Sequence, residues 1–242
     1  MKTDWSILWG DAGLMILAGL GETLRLASHA LVLAIAIGLT LGTVRWIGSR
    51  VLEPLCWAYV EFARNTPPVV QILFWYFSAS YILPRSLFLG LRDFGYEFGA
   101  AVIALAIYHG AFFAEVFRAG LNAIPKGQLE AARALGLGFV QSLRKVVLPQ
   151  AVRIVIPPLL NEATALIKNS SLAMAIGVAE LTYQYRAIDN LMFRGIEALT
   201  AITLIYLLLC LATVGVGNLV SRALSRHVHG RGLAIDIRSE PA

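Results

Sequence analysis

The stretch from about Ile196 to Val220 is apolar apart from Glu197 at its start, a few threonines and Asn218 near its end, and is long enough to cross a bilayer as a helix. The rest of the chain puts it in lipid rather than in a soluble core. Of the 242 residues 58% are hydrophobic and 14% are charged, and the mean hydropathy is +0.71. Ordinary globular chains carry about 25% charged residues, so the length is counted in membrane spans. About five spans are expected, at roughly 22–44, 55–83, 97–121, 150–179 and 196–220. Together they make one all-α integral membrane domain from residue 22 to about 222.

Ahead of it, Met1 to Gly21 carries Trp5, Trp9 and a short apolar run, and reads as an interfacial lead-in. It has neither the basic start nor the cleavage site of a signal peptide. Glu22, Arg25 and His29 lie near one end of the first span, with Glu22 and Arg25 at a spacing that permits pairing. The second span is interrupted at Arg64-Asn65-Thr66-Pro67-Pro68, where two prolines remove two backbone donors. Asn65 accepts positive φ better than most residues, which suits a turn there. A basic, polar tail, 223–242, closes the chain, and no internal repeat or linker divides it.

Loop charges give an orientation. Residues 118–153 hold Arg118, Lys126, Arg133, Arg144, Lys145 and Arg153 against Glu130. The first loop has Arg45 and Arg50 against Glu53, and the tail has Arg222, Arg226, Arg231 and Arg238 against Asp236 and Glu240. The remaining loops differ: Arg85 and Arg92 stand against Asp93, and Arg186 and Arg194 against Glu180 and Asp189. The first group is expected on the cytoplasmic side, which puts the N-terminus outside and the C-terminus inside.

Between the third and fourth spans lies a polar stretch, Glu130 to Pro149. Pro125 suits the first position of a helix, Gln128 to Leu135 are good helix formers, and Gly136 supplies a left-handed end. A short helix, a sharp turn and a second short helix at Phe139 to Val147 are expected, outside the bilayer.

Several chemistries are set aside. Cys56 and Cys210 are isolated, and His227-x-His229 lacks further ligands, so no metal site is expected. There is no Gly-rich phosphate loop ending in Lys-Ser or Lys-Thr, and no nucleophile–base constellation, so the chain is not expected to be an enzyme. Basic residues at span ends fit lipid headgroups rather than nucleic acid.

Ionisable groups at bilayer depth are costly and mark a cavity or a partner. The candidates are Glu115, Glu162 and Lys168, with Asn161, Asn169, Ser170 and Ser171 around them. A helix break near Pro157-Pro158 or at Lys168–Ser171 would offer backbone N–H groups and hydroxyls to a carboxylate, with Lys168 beside it. Glu162 then meets an ammonium group or pairs with Lys168. The plainer reading is that Glu115–Arg118 and Glu162–Lys168 only hold helices together.

Three motifs carry a resemblance. Glu130-Ala131-Ala132, three residues, Gly136, nine residues and Val146-x-Leu148-Pro149 resemble the EAA loop of ABC-importer permeases. Arg64-Asn65-Thr66-Pro67-x-x-Val70-Gln71 and Glu115 to Gln128 resemble the polar amino-acid permeases, which include histidine, glutamine, arginine and glutamate/aspartate systems. Asn65 stands where that family usually has Gly. Pro157-Pro158, Asn161-Glu162, Lys168–Ser171 and Phe74–Phe77 are most similar to the glutamate/aspartate type. The resemblance spans about Gly21 to Val220 and implies a type I importer permease fold in the bacterial inner membrane. It implies that Glu130, Ala131, Ala132, Arg133 and Gly136 form a cytoplasmic coupling helix for an ABC ATPase dimer. The implied partners are a second permease subunit and a periplasmic amino-acid-binding protein. ATP and Mg are expected on the ATPase, and no cofactor on this chain. A stand-alone secondary transporter or channel is the competing class, since intramembrane Glu and Lys also suit ion coupling.

Overall fold

The computed structural model describes residues 4–229, and every regular element among them is helical. After a 3₁₀ turn at Trp5–Trp9 come α1 (Asp11–Ile47), α2 (Leu52–Arg64), α3 (Pro68–Ile82), α4 (Arg85–Asp93) and α5 (Tyr96–Asn122). Then follow α6 (Lys126–Ala134), α7 (Phe139–Ser142), a π-helical segment at Leu143–Val147, and α8 (Leu148–Asn169). A 3₁₀ segment at Ser170–Ile176, α9 (Leu181–Met192) and α10 (Gly195–His229) complete the order. By length and composition α1, α5 and the part of α10 up to Arg222 can each cross a bilayer unaided. The second expected span is divided between α2 and α3, and α8 with its 3₁₀ extension occupies the fourth.

The central element is α5, on which α1, α2, α3 and α8 all pack. Along α1 the buried residues include Ala27, Ala30, Ala34, Gly38 and Gly42, three or four positions apart and hence on one face. Small residues at this spacing let two backbones approach closely, which is how helices associate where lipid supplies no hydrophobic drive. At Gly38 a Cβ would stand 2.3 Å from the Cβ of the fully buried Phe113 on α5. Leu26, Ile72, Leu105 and Leu166 join Phe113 in the same core.

The N-terminal segment differs from the expected lead-in. α1 begins at Asp11, well ahead of Glu22, so the interfacial part shortens to the turn at Trp5–Trp9. Ala12 and Ile16 are buried in a second core with Leu181 and Ile188 of α9 and Ala198 and Ile202 of α10. A helix already nucleated extends readily when each added turn is buried. Asp4 caps the preceding turn by accepting from the Ser6 N–H (3.1 Å) and hydroxyl (2.7 Å). Those bonds hold its carboxyl below the usual range. Residues 1–3 of the lead-in and 230–242 of the expected tail lie outside the described residues, while 223–229 continue the backbone of α10.

Two further corrections concern proline. Phe139 to Val147 does not form a separate short helix: helical backbone runs on through Leu148 into α8. Pro149 has no N–H for the Lys145 carbonyl, and the π segment just before it absorbs the mismatch, with the Leu148 N–H reaching back to Leu143. Pro157 and Pro158 do not break α8 either. Each deletes one backbone bond, and packing of α8 against α5 and α10 keeps the axis continuous.

Candidate functional site

The polar loop after α5 forms a helix with defined ends. Pro125 takes the extended position before α6. At the other end Gly136 adopts φ 81°, its N–H donates to Arg133 (2.9 Å), and the Leu137 N–H donates to Ala132 (3.1 Å). This is the paired closure that a left-handed glycine allows after a helix. Ala132 is buried, and one turn before it Leu129 packs on a small core of Ile124, Val147 and Ala151. Glu130, Ala131 and Arg133 are exposed. The EAA positions are thus divided: Ala132 seats α6 on the protein, and its neighbours face outward. Sequence reasoning missed the apolar residues around them. Leu135 is 83% exposed, Val140 72% and Phe139 50%, and the Arg133 guanidinium lies 5.8 Å from the Phe139 ring centre.

The break in the second span is held by Gln71. In an unbroken helix the Ala63 carbonyl would accept from residue 67, which is proline. Instead the Gln71 side-chain amide donates to that carbonyl (2.9 Å) and to the Thr66 hydroxyl oxygen (2.6 Å). Thr66 in turn donates to the Phe62 carbonyl (2.9 Å). Asn65 does not use positive φ: its φ is −96°, and its side chain donates to the Glu61 carbonyl (2.7 Å). Extended Pro67 makes the turn, so glycine is not needed at 65.

Glu115 is engaged twice. It pairs with Arg45 of α1 and, at 2.7 Å, with Arg118 one turn along α5. It ties α1 to α5 near the end of α5 that leads to α6. The geometry is that of the structural reading, with an added partner, Arg45, that lies too far away in sequence for spacing to suggest.

On α8 the expected arrangement changes most. The backbone stays helical through Asn169 and Ser170, and the Ser170 N–H is bonded to the carbonyls of Leu166 and Lys168. No freed row of N–H groups faces a ligand there, because the helix tightens to 3₁₀ rather than breaking. The Ser170 hydroxyl donates to Ile167 (2.7 Å) and the Ser171 hydroxyl to Lys168 (2.7 Å), so both serve their own backbone. Glu162 does not pair with Lys168. Its partner is His109 of α5, Nδ1 to Oε1 at 2.5 Å, and the Asn169 amide nitrogen lies 3.2 Å from the other ring nitrogen. Lys168 is exposed on the adjacent stripe of the helix with Asn161 and has no ion pair among the described residues. His109 is the buried partner that the sequence did not single out. A histidine in mid-span was the available signal, because an ionisable group at that depth needs a partner.

A bundle of membrane-length helices with a polar helix between the third and fourth spans defines a polytopic membrane protein. The chain belongs to the family described as binding-protein-dependent transport system inner membrane component, whose model matches residues 34–226. It is 37% identical over 212 residues to the glutamine transport system permease protein GlnP of Escherichia coli, covering 87% of this chain and 93% of that relative. It is 33% identical over 211 residues to the glutamate/aspartate import permease protein GltJ of the same organism, covering 86% of each. A solved structure described as an amino acid ABC transporter with histidines matches with a TM-score of 0.79 at 31% identity, over 92% of this chain and 100% of that one. The chain is therefore the transmembrane subunit of an ABC importer in the amino-acid group, and the stand-alone transporter reading falls.

Proposed function

We propose that the chain forms half of the membrane path of an ATP-driven importer carrying polar amino acids, glutamate or aspartate among them, from periplasm to cytoplasm. A second permease subunit, identical or paralogous, supplies the other half. A periplasmic binding protein delivers the amino acid, and a separate ATPase dimer holds ATP and Mg. The loop of α6 and the C-terminus face the cytoplasm, the N-terminus the periplasm, in keeping with the loop charges.

The observation that carries this reading is the outer surface of α6. Exposed Leu135 at the end of α6 and exposed Phe139 and Val140 on α7 follow exposed Glu130 and Arg133 of α6, a helix that is short, rigidly ended and outside the apolar spans. Apolar side chains rimmed by charge are the composition of a docking site rather than of a solvated loop. A helix held at Pro125 and Gly136 and seated through Ala132 moves as one body when a partner pushes it. On α8, Glu162 is suited to the cargo's ammonium group and exposed Lys168 to a carboxylate. Glu115, Ser170 and Ser171 act in the framework.

The test is reconstitution in liposomes with the neighbouring ATPase, permease and binding protein. Uptake of labelled amino acid should require ATP and the binding protein. Uptake driven by an ion gradient with the ATPase left out would sink the reading.

A further inference from the structure

His109 is buried to 0% exposure, yet it touches both polar residues on one face of α8. Glu162 and Asn169 are seven positions apart, close to two helical turns, so they present the same face to α5. The ring sits edge-on to Tyr108 and tilted against Phe112, which fixes its plane.

The Asn169 amide nitrogen lies against Nε2, and Oε1 of Glu162 lies against Nδ1. An amide nitrogen donates, so this arrangement suits a ring in which Nε2 accepts and the Nδ1–H is aimed at Glu162. Only Oε1 is occupied: Oε2 has no partner among the described residues, and the Glu162 side chain is 17% exposed.

We propose that His109 is a positioning residue of the transport site. Held by Asn169 as the Nδ1–H tautomer, it engages Glu162 by one oxygen and leaves the other for the ammonium group of the amino acid. An imidazolium at this place would offset the Glu162 charge that the ammonium group needs. The inference rests on the reading that Glu162 meets the cargo, and the two are tested separately.

The experiment uses the reconstituted importer with the best-transported amino acid as probe. Glu162→Gln tests the reading: KM should rise at least tenfold, and an unchanged KM overturns reading and inference together. His109→Leu removes the positioning donor. It should raise KM about tenfold, the scale of one lost hydrogen bond to a charge, with the maximal rate falling less than threefold. His109→Asn places an amide N–H near the position of Nδ1–H and should restore KM to within about threefold of wild type. A raised KM for Glu162→Gln beside a wild-type KM for His109→Leu overturns the inference and leaves the reading standing. Should His109→Leu not assemble, ¹⁵N NMR of histidine-labelled wild-type complex decides. One protonated nitrogen, at Nδ1, supports the proposal, and an imidazolium or an Nε2–H ring overturns it.

Discussion

The side-chain amide of Gln71 on α3 donates to the carbonyl of Ala63 on α2 at 2.9 Å, across the break made by Pro67 and Pro68. Proline removes the donor that this carbonyl would have found four residues on, and Gln71 replaces it. The bond is buried and joins two helices that each pack on α5. Gln71→Leu leaves the carbonyl unpaired, at a cost of about 1–3 kcal/mol. The expected outcome is a lower unfolding temperature of the detergent-solubilised protein. An unchanged midpoint would mean that water replaces the amide.

Gly136→Val forces a β-branched side chain into a backbone with φ 81°. Such strain is of order 1–3 kcal/mol, and nothing crowds the site that could hold the residue in place. The chain should still insert and pair with its partner permease but lose ATP-driven uptake, because the end of α6 is re-aimed. Membrane fractionation and uptake in the same vesicles check both halves.

Gly38→Val should act differently. Its Cβ would meet the Phe113 Cβ at 2.3 Å and the Phe113 carbonyl carbon at 2.9 Å, so the two helices must separate. Overpacking of this kind costs about 1–3 kcal/mol. Lower yield and a lower unfolding temperature are expected, without any selective loss of ATPase coupling. A variant that folds normally but uncouples would contradict the packing account.

Orientation is checked by thiol labelling. Gln128 and Gly90 are both exposed, on α6 and α4. With Cys56 and Cys210 replaced by Ser, a cysteine at 128 should react with an impermeant maleimide only in inverted vesicles. One at 90 should react in intact cells. The opposite pattern reverses the topology.

Much of the architecture is legible in the chain because it depends on near neighbours. Apolar runs of bilayer length mark α1, α5 and α10, paired prolines mark the join of α2 and α3, and Gly136 marks the end of α6. Each follows from local backbone chemistry or from the absence of charge over one segment. The early start of α1 was not legible, because the core that buries Ala12 and Ile16 draws on Leu181 and Ile188 of α9 and Ala198 and Ile202 of α10, far along the sequence.

The polar site shows the same division. Sequence alone determined that Glu115, Glu162 and Lys168 lie where ionisable groups are costly, and so must have partners or a cavity. Which partners they have was decided by packing: Glu115 meets Arg45, seventy positions away, and Glu162 meets His109, fifty-three away. Spacing along one helix proposed Glu162 with Lys168, but six residues turn the two side chains to different faces. The continuity of α8 through Pro157 and Pro158 was likewise a tertiary outcome. Proline's local effect is to remove one bond and crowd one carbonyl, and the neighbouring helices determine whether that bends a helix or is absorbed by it.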